Sequence, residues 1–582
     1  VSSTTNGRPG FATRDFACHS GQARFIPQEW HSLPRLGDRF ERWVVPVLLA
    51  ATMTGLNALK PPCIDDPAYL AIARQVAAHP LDPYGFDQFW YERPQPANEI
   101  LAPPVLPYWL ALGMRIFGEE IFLLKLWLFP IALLLAIALR ALLARFAPGV
   151  ETPVLVGLVL SPAILPGFNF MLDVPALALS LSAIVVFFRG LDRGSWALAL
   201  LAGVLAGLAA QTKYTGGVCW PLLLAAAALW RRPLLGIAAV TVAAGLFAGW
   251  EAFTAFLYGE SHLRVAMTES SESILKRSWL AFCFLQLTGA LGIPIALLAL
   301  AALGRRPLWV IAGILATIST FAALLLYPDN RYAAWPVKPL VGFGLPRILF
   351  GVWGTALYFL IVLAVTGLVL RRRPRRLRVR LRRPVALLLI WLTLEVAGYA
   401  VLTPFPAARR ITGTLVVATL LVAHFASRTC RKSRERRAVW LAAVGSAALG
   451  LIFAGIDVAD SRLEPTAIHS AAEYIRAHDA NARVWFTGHW GTQYAAQREE
   501  FQPLVPGQSL LREGDWVIVA PAWVAQQNFD ETVLGEPVHT VVIDRELRLR
   551  TLPPSYGGSQ CIEWWPAPML ELRVYRVAAR RE

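Results

Sequence analysis

Apolar residues in this chain come in long blocks, and the polar ones gather between them. Blocks of spanning length lie near 43–60, 121–146, 152–168, 174–190, 195–211, 216–230, 234–257, 279–303, 307–327, 347–370, 384–402, 411–427 and 438–457. A helix needs about 20 mainly apolar residues to cross a bilayer, where every backbone amide must find its partner within the segment. The pattern therefore predicts an α-helical polytopic membrane protein with about thirteen crossings between residues 43 and 457. Residues 1–42 form a polar leading segment. No small-residue cleavage site follows the first block, so it is expected to stay as an anchor. After residue 458 the blocks give way to mixed, alternating segments. There "EPTAIHSAAEYIRAHD" (464–479) predicts a helix, and "ARVWFTG", "DWVIVAP" and "LELRVYRV" predict strands, so 458–582 reads as a small soluble α/β or α+β domain.

Composition agrees with the pattern: 56% of the 582 residues are hydrophobic and only 16% are charged. The formal net charge of +16 would suit a nucleic-acid binder, but the basic residues sit in short patches between apolar blocks. Arg140 and Arg145, "FRGLDRG", "WRRP", "GRRP", the nine arginines of "RRRPRRLRVRLRR" (371–383) and "RTCRKSRERR" (428–437) fall on alternate connections. Lys and Arg in short loops are retained in the cytoplasm. This places the N-terminus in the cytoplasm and excludes nucleic acid as the reason for the charge. The opposite, periplasmic face receives the 61–120 loop, Asp173, "QTKYTGG" (211–217), "YPDNRYAAWPVK" (327–338), "TPFPAARR" (403–410) and the terminal domain. Six scattered cysteines form neither a metal-ligand pattern nor a C-x-x-C pair, and only a Cys63–Cys561 bridge is worth considering.

The unusual polar residues all share that face. In the 60-residue loop, "PAYLAIARQVAAH" and "PPVLPYWLALGMRIFG" predict helices lying along the membrane surface. Asp66 before Pro67 suits a helix N-cap, whereas Asp65 has no capping reason to be there. A carboxylate beside a second one at an interface can act as a general base. Asp173, between two apolar blocks, reads either as a cap ahead of Pro175 or as a functional acid that orients the acceptor or pairs with a cation such as Lys213. Lys213, Arg409 and Arg410 stand on the face where a positive-inside protein places few cations. They either snorkel to headgroups or stabilise a phosphate, with Arg331 and Lys338 as weaker members of the set. The aromatic cluster Trp485, Phe486, His489, Trp490 and Tyr494 has faces that could stack on a sugar but reads more simply as core, with His489 too isolated to be a ligand.

Taken together, "DDPAY" after the first block, "PP...PYW" before the second, "NFMLDVPALALS", "AGLAAQTKYTG" and "TPFPAARRITGTL" resemble the bacterial branch of the GT-C glycosyltransferases. The nearest families are the protein O-mannosyltransferases and aminoarabinose lipid A transferases, and the resemblance spans most of residues 43–427. It implies a multi-spanning bundle whose active site faces the periplasm and whose donor is a polyprenyl-phosphate-linked sugar. It also implies that the acid after the first crossing is catalytic, which here is Asp65 with Asp66 as companion. Relatives often carry a basic residue before the double proline, where this chain reads "NEILAPPVLPYW".

The expectation is an integral protein of the bacterial inner membrane that moves a hexosyl or pentosyl group from a polyprenyl-phosphate carrier to a lipid, glycan or protein acceptor. Asp65 and Asp66 form the catalytic pair, and Asp173, Lys213, Arg409 and Arg410 bind substrate. No metal is required, although an acidic pair is able to hold a divalent one. A secondary transporter or flippase is the rival reading; it should show an internal repeat, and none is visible. A non-catalytic assembly protein that binds through the terminal domain is the third.

Overall fold

In the computed structural model, which describes residues 36–100, 103–268, 274–303, 311–316, 345–370, 375–430, 432–521, 527–553 and 561–578, the apolar blocks are helices. Helix α1 (Leu36–Ala58) leads to the first polar loop, where Pro61 and Pro62 prevent any helical continuation. Two short helices follow in that loop as expected, α2 (Asp66–Ala78) and α3 (Val105–Phe117), with an unanticipated hairpin of β1 (Asp87–Trp90) and β2 (Arg93–Pro96) between them. The bundle continues through α4 (Ile121–Leu126), α5 (Phe129–Phe146), α6 (Glu151–Val159), α7 (Asp173–Arg193), α8 (Trp196–Thr212), α9 (Cys219–Leu229) and α10 (Pro233–Tyr258). Next come α11 (His262–Thr268), α12 (Ile274–Leu291), α13 (Ile293–Leu303), α14 (Leu345–Leu370), α15 (Arg375–Leu402), α16 (Thr412–Thr429) and α17 (Ser433–Ser461).

Among the described residues, six helical runs are long and apolar enough to cross a membrane, or seven if a bent pair is one span. The expected count of about thirteen therefore meets several shorter helices. The 152–168 block is the clearest departure. It is helical only to Val159, and the chain then turns through residues 160–172 in a buried, irregular path. Two polar side chains of the first segment hold that path: Asn57 donates to the Leu165 carbonyl (2.8 Å) and Lys60 to the Pro166 carbonyl (2.6 Å). Gly450 of α17 fits against it, since a Cβ there would lie 1.8 Å from the Leu160 carbonyl oxygen. The opposite side of α17 leaves Leu441, Val444 and Ile452 exposed, an apolar outer surface suited to lipid.

The bundle has two chemically distinct ends. Helix α7 carries Asp173 in its first turn and Arg193 in its last, about 30 Å apart at 1.5 Å per residue. It ends on Gly194 in the left-handed conformation, and α8 runs back beside it until Lys213 meets Asp173. At the far end Arg145 pairs with Asp192 (2.6 Å) and lies over the Phe188 ring (4.3 Å). The nine-arginine stretch departs from expectation: residues 375–383 continue as the start of α15 instead of forming a connection. Residues 1–35 and 317–344, with Arg331 and Lys338, lie outside the described residues.

The C-terminal part is an α/β unit with its own core, built on Leu463, Ile468, Phe486, Trp516, Ile518, Leu572 and Val574. Its sheet has the order β4 (Gln502–Pro503), β3 (Val484–Phe486), β5 (Trp516–Val519), β9 (Leu570–Arg576), β6 (His539–Ile543). β3 runs parallel to β4 and β5, while β9 runs antiparallel to β5 and β6. A separate two-stranded ribbon pairs β7 (Leu549–Arg550) with β8 (Glu563–Trp564). Helices α18 (Leu463–His478) and α19 (Trp490–Arg498) complete the unit. The expected helix and three strands are present; α19 falls within the stretch read as an aromatic core cluster. Cys63 and Cys561 are both buried free thiols, so the bridge considered between them is absent.

Candidate active site

The chain between α1 and α2 is turned sharply to present Asp65. Ile64 adopts φ 53°, a conformation that β-branched residues rarely take and that costs on the order of 1–3 kcal/mol. Asp65 occupies the N-cap position of α2, yet its side chain caps nothing. Its carboxylate instead accepts a hydrogen bond from Arg409 Nη1 at 3.1 Å. Arg409 follows Ala408 in the 3₁₀ turn Ala408–Ile411 that precedes α16, so two segments 344 residues apart converge here.

Arg409 bridges a second acid. Its Nε lies 4.0 Å from Asp173 Oδ2, and Asp173 forms a tight ion pair with Lys213. Asp173 opens α7 but does not cap it, so the pairing reading prevails over the cap. Arg410 lies over the Phe405 ring (4.2 Å), within electrostatic reach of Asp65 and Asp173. The cluster thus holds two carboxylates, Asp65 and Asp173, against three cations, Lys213, Arg409 and Arg410, leaving one net positive charge. Asp65 is the most open member of its ion pairs: its side chain is 21% exposed, against 10% for Arg409, 8% for Asp173 and 16% for Lys213.

Asp66 is separated from this group. Its side chain is fully buried, accepts from the Cys63 amide (3.2 Å) and faces Lys125 Nζ at 3.9 Å, while Oδ1 has no partner among the described residues. Asp66 sits one residue inside the helix, and its bond goes to an amide that precedes it, which corrects the cap assignment. Burial pushes its carboxyl up to about 6 despite the opposing charge of Lys125. Lys125 also lies near Asn169 Oδ1 (3.5 Å) and over the Phe170 ring (5.3 Å). The two acids of the doublet therefore point to different partners, and among the described residues no group of three or more His, Cys, Asp or Glu side chains is gathered for a metal. The acidic pair does not fit a divalent ion.

The C-terminal unit closes over the same corner. Lys60 pairs with Asp457 (2.5 Å), Thr551 donates to Asp457 (2.6 Å), and Asp460 takes Arg550 Nε (2.7 Å) together with the Thr551 and Leu552 amides (2.8 Å each). Gln493 donates to the Phe89 carbonyl (3.1 Å), and His489 packs edge-on to Trp90 (4.6 Å). Sequence reasoning missed Lys60, Lys125 and His489. A lone lysine inside the 121–146 apolar block was the available signal for Lys125. For His489, read as core, the contacts come from a loop 400 residues earlier, and no local pattern marks them.

Residues 102–250 match the dolichyl-phosphate-mannose-protein mannosyltransferase family. The resemblance to GT-C membrane glycosyltransferases drawn from the sequence is borne out over that stretch. A comparison with curated protein sequences gives no match. Among solved structures, the chain is similar to the archaeal oligosaccharyltransferase AglB of Archaeoglobus fulgidus, in complex with an inhibitory peptide and a dolichol-phosphate. Identity is 15%, coverage 84% of this chain and 70% of that one, and TM-score 0.48. ArnT of Cupriavidus metallidurans bound to undecaprenyl phosphate aligns at 15% identity over 92% of this chain and 98% of its own, with TM-score 0.41. The arabinosyltransferase EmbB of Mycobacterium smegmatis aligns at 17% over 74% and 42%, with TM-score 0.32.

Proposed function

We propose that the chain is a membrane glycosyltransferase that takes a hexosyl or pentosyl group from a polyprenyl-phosphate carrier and passes it to a hydroxyl or amine of a lipid, glycan or protein acceptor. The family matched by residues 102–250 is named for a lipid-phosphate-linked mannose donor. The observation that carries the reading is the Asp65 cluster: a partly open carboxylate held by Arg409, beside a buried Asp173–Lys213 pair, with one positive charge in excess.

Asp65 removes the acceptor proton as the acceptor oxygen or nitrogen attacks the anomeric carbon. The bond from that carbon to the phosphate oxygen breaks, and its electron pair stays on the phosphate. Lys213, Arg409 and Arg410 meet the developing charge, and fixed cations in a partly dry site stabilise it more than water does. Asp173 holds Lys213 and Arg409 apart from each other and aimed. A single displacement inverts the sugar. The excess positive charge matches the single negative charge of the donor phosphodiester, and the net charge of the site is then neutral before reaction.

We place this end of the bundle at the periplasmic face of a bacterial inner membrane, because the arginine-bearing connections lie at the other end. The test uses purified protein with a panel of polyprenyl-phosphate sugars and membrane extract, following release of free polyprenyl phosphate and label in the acceptor. Turnover of one donor is expected. Absence of release with every carrier, together with carrier movement across vesicles, sinks the transferase reading in favour of the flippase.

A further inference from the structure

The C-terminal unit touches the site through the turn His489–Gly491. Trp490 takes φ 58°, unusual for a bulky residue, and packs against the core of the helical bundle. Gly491 lies directly under Pro62: a Cβ there would come to 3.4 Å from the Pro62 carbonyl oxygen and 2.6 Å from the Glu464 carboxylate. Pro62 is three residues before Asp65. His489 itself rests against Trp90 (4.6 Å) and Tyr91 (4.8 Å), and Tyr91 is also held at positive φ, 56°. Three of the five non-glycine residues with positive φ among the described residues, Ile64, Tyr91 and Trp490, therefore surround this junction. Such backbone outliers cluster where surrounding structure holds a functional geometry.

The hydrogen bonds determine the tautomer of His489. The Phe89 carbonyl can only accept, so the group that Gln493 presents to it at 3.1 Å is its NH₂. The amide oxygen of Gln493 then faces His489 Nδ1 at 2.8 Å, and Nδ1 must carry the proton. That leaves Nε2 as a bare lone pair. It is buried, in a residue only 1% exposed, and has no donor among the described residues. Burial depresses the imidazole pKa to about 4, which keeps the ring neutral, and the Asp65 carboxylate acts on it electrostatically. A buried acceptor without a donor is costly and calls for a partner.

Resting on the glycosyltransferase reading, we infer that His489 Nε2 is a substrate-positioning site, accepting a hydrogen bond from a hydroxyl or amine of the molecule that reacts at Asp65. Two molecules carry such a donor there, the transferred sugar and the acceptor. The C-terminal unit thereby completes a site whose charges all come from the helical bundle and the turns that join its helices.

Two variants separate this role from a structural one. His489→Asn keeps a donor for Gln493 and removes the acceptor at the Nε2 position, while His489→Gln keeps an acceptor there and gives up the Nδ1 donor. Binding is measured for bare undecaprenyl phosphate and for a panel of undecaprenyl-phosphate hexoses and pentoses, with KM for the acceptor measured in the transfer assay. If the sugar is the partner, His489→Asn loses about tenfold in affinity for the sugar-bearing carrier that wild type prefers, with bare carrier unchanged and His489→Gln near wild type. If the acceptor is the partner, carrier affinities stay level and KM rises about tenfold in His489→Asn alone. Wild-type behaviour of His489→Asn, or equal impairment of both variants, overturns the inference and leaves His489 as a brace for Gln493. Wild type that binds neither form of carrier refutes the transferase reading itself.

Discussion

Two charge clusters flank the Pro61–Pro62 corner, built from the same residue types and put to different ends. On one side Lys60, Asp457, Asp460 and Arg550 are completely enclosed, and Thr551, Leu552 and the Pro166 and Met569 carbonyls add hydrogen bonds to them. On the other side Asp65, Asp173, Lys213 and Arg409 are paired but retain access. Burying an ion pair costs several kcal/mol per ion, repaid only when geometry and hydrogen bonds are complete. The first cluster offsets that cost with a dense set of hydrogen bonds and serves as a tether between the segment after α1, α17 and the C-terminal unit. The second keeps a carboxylate and cations near a surface where a substrate can reach them.

The contrast is broken most strongly at Asp460. Asp460→Ala takes from the buried Arg550 its ion-pair partner and removes the acceptor of two amides, so stability falls by about 3–5 kcal/mol, seen as a lower thermal unfolding midpoint in detergent. A smaller effect comes from pH. The native His489 binds its proton less tightly than the unfolded chain, with its pKa moved from 6.5 to about 4. Its contribution is present above about 6.5 and disappears as the pH falls through about 4, on the order of 3 kcal/mol at most. His489→Asn should flatten that acid slope in unfolding measured from pH 7 to 4. Smaller still, Lys213→Met should weaken undecaprenyl phosphate binding by about tenfold to a hundredfold without matching loss of stability, measured by calorimetry.

Much of this was legible in the chain. Asp65 stood out because an acid directly after a spanning block has no capping excuse, Asp173 because it lies between two apolar blocks, and Lys213 because it is a cation on the face where a positive-inside protein places few. Other parts were hidden for physical reasons. Hydropathy measures how apolar a block is, not whether it can stay helical, so the break after Val159 was invisible: it depends on Asn57 and Lys60 capturing carbonyls about a hundred residues away. His489 looked like core because its surroundings are aromatic. Its importance comes from Gln493 reaching Phe89, 404 residues earlier in the chain. Asp66 shares the doublet with Asp65, but the rotation of about a quarter-turn between successive helical residues sends it inward to Lys125, a difference of direction that residue type cannot convey.

The most direct measurement is transfer by Asp65→Asn beside wild type, with the thermal midpoint and carrier affinity recorded on the same preparations. The account predicts a rate lower by about a hundredfold to ten-thousandfold, with fold and carrier binding retained. Transfer at the wild-type rate would contradict it, as would a loss of activity that follows a loss of stability.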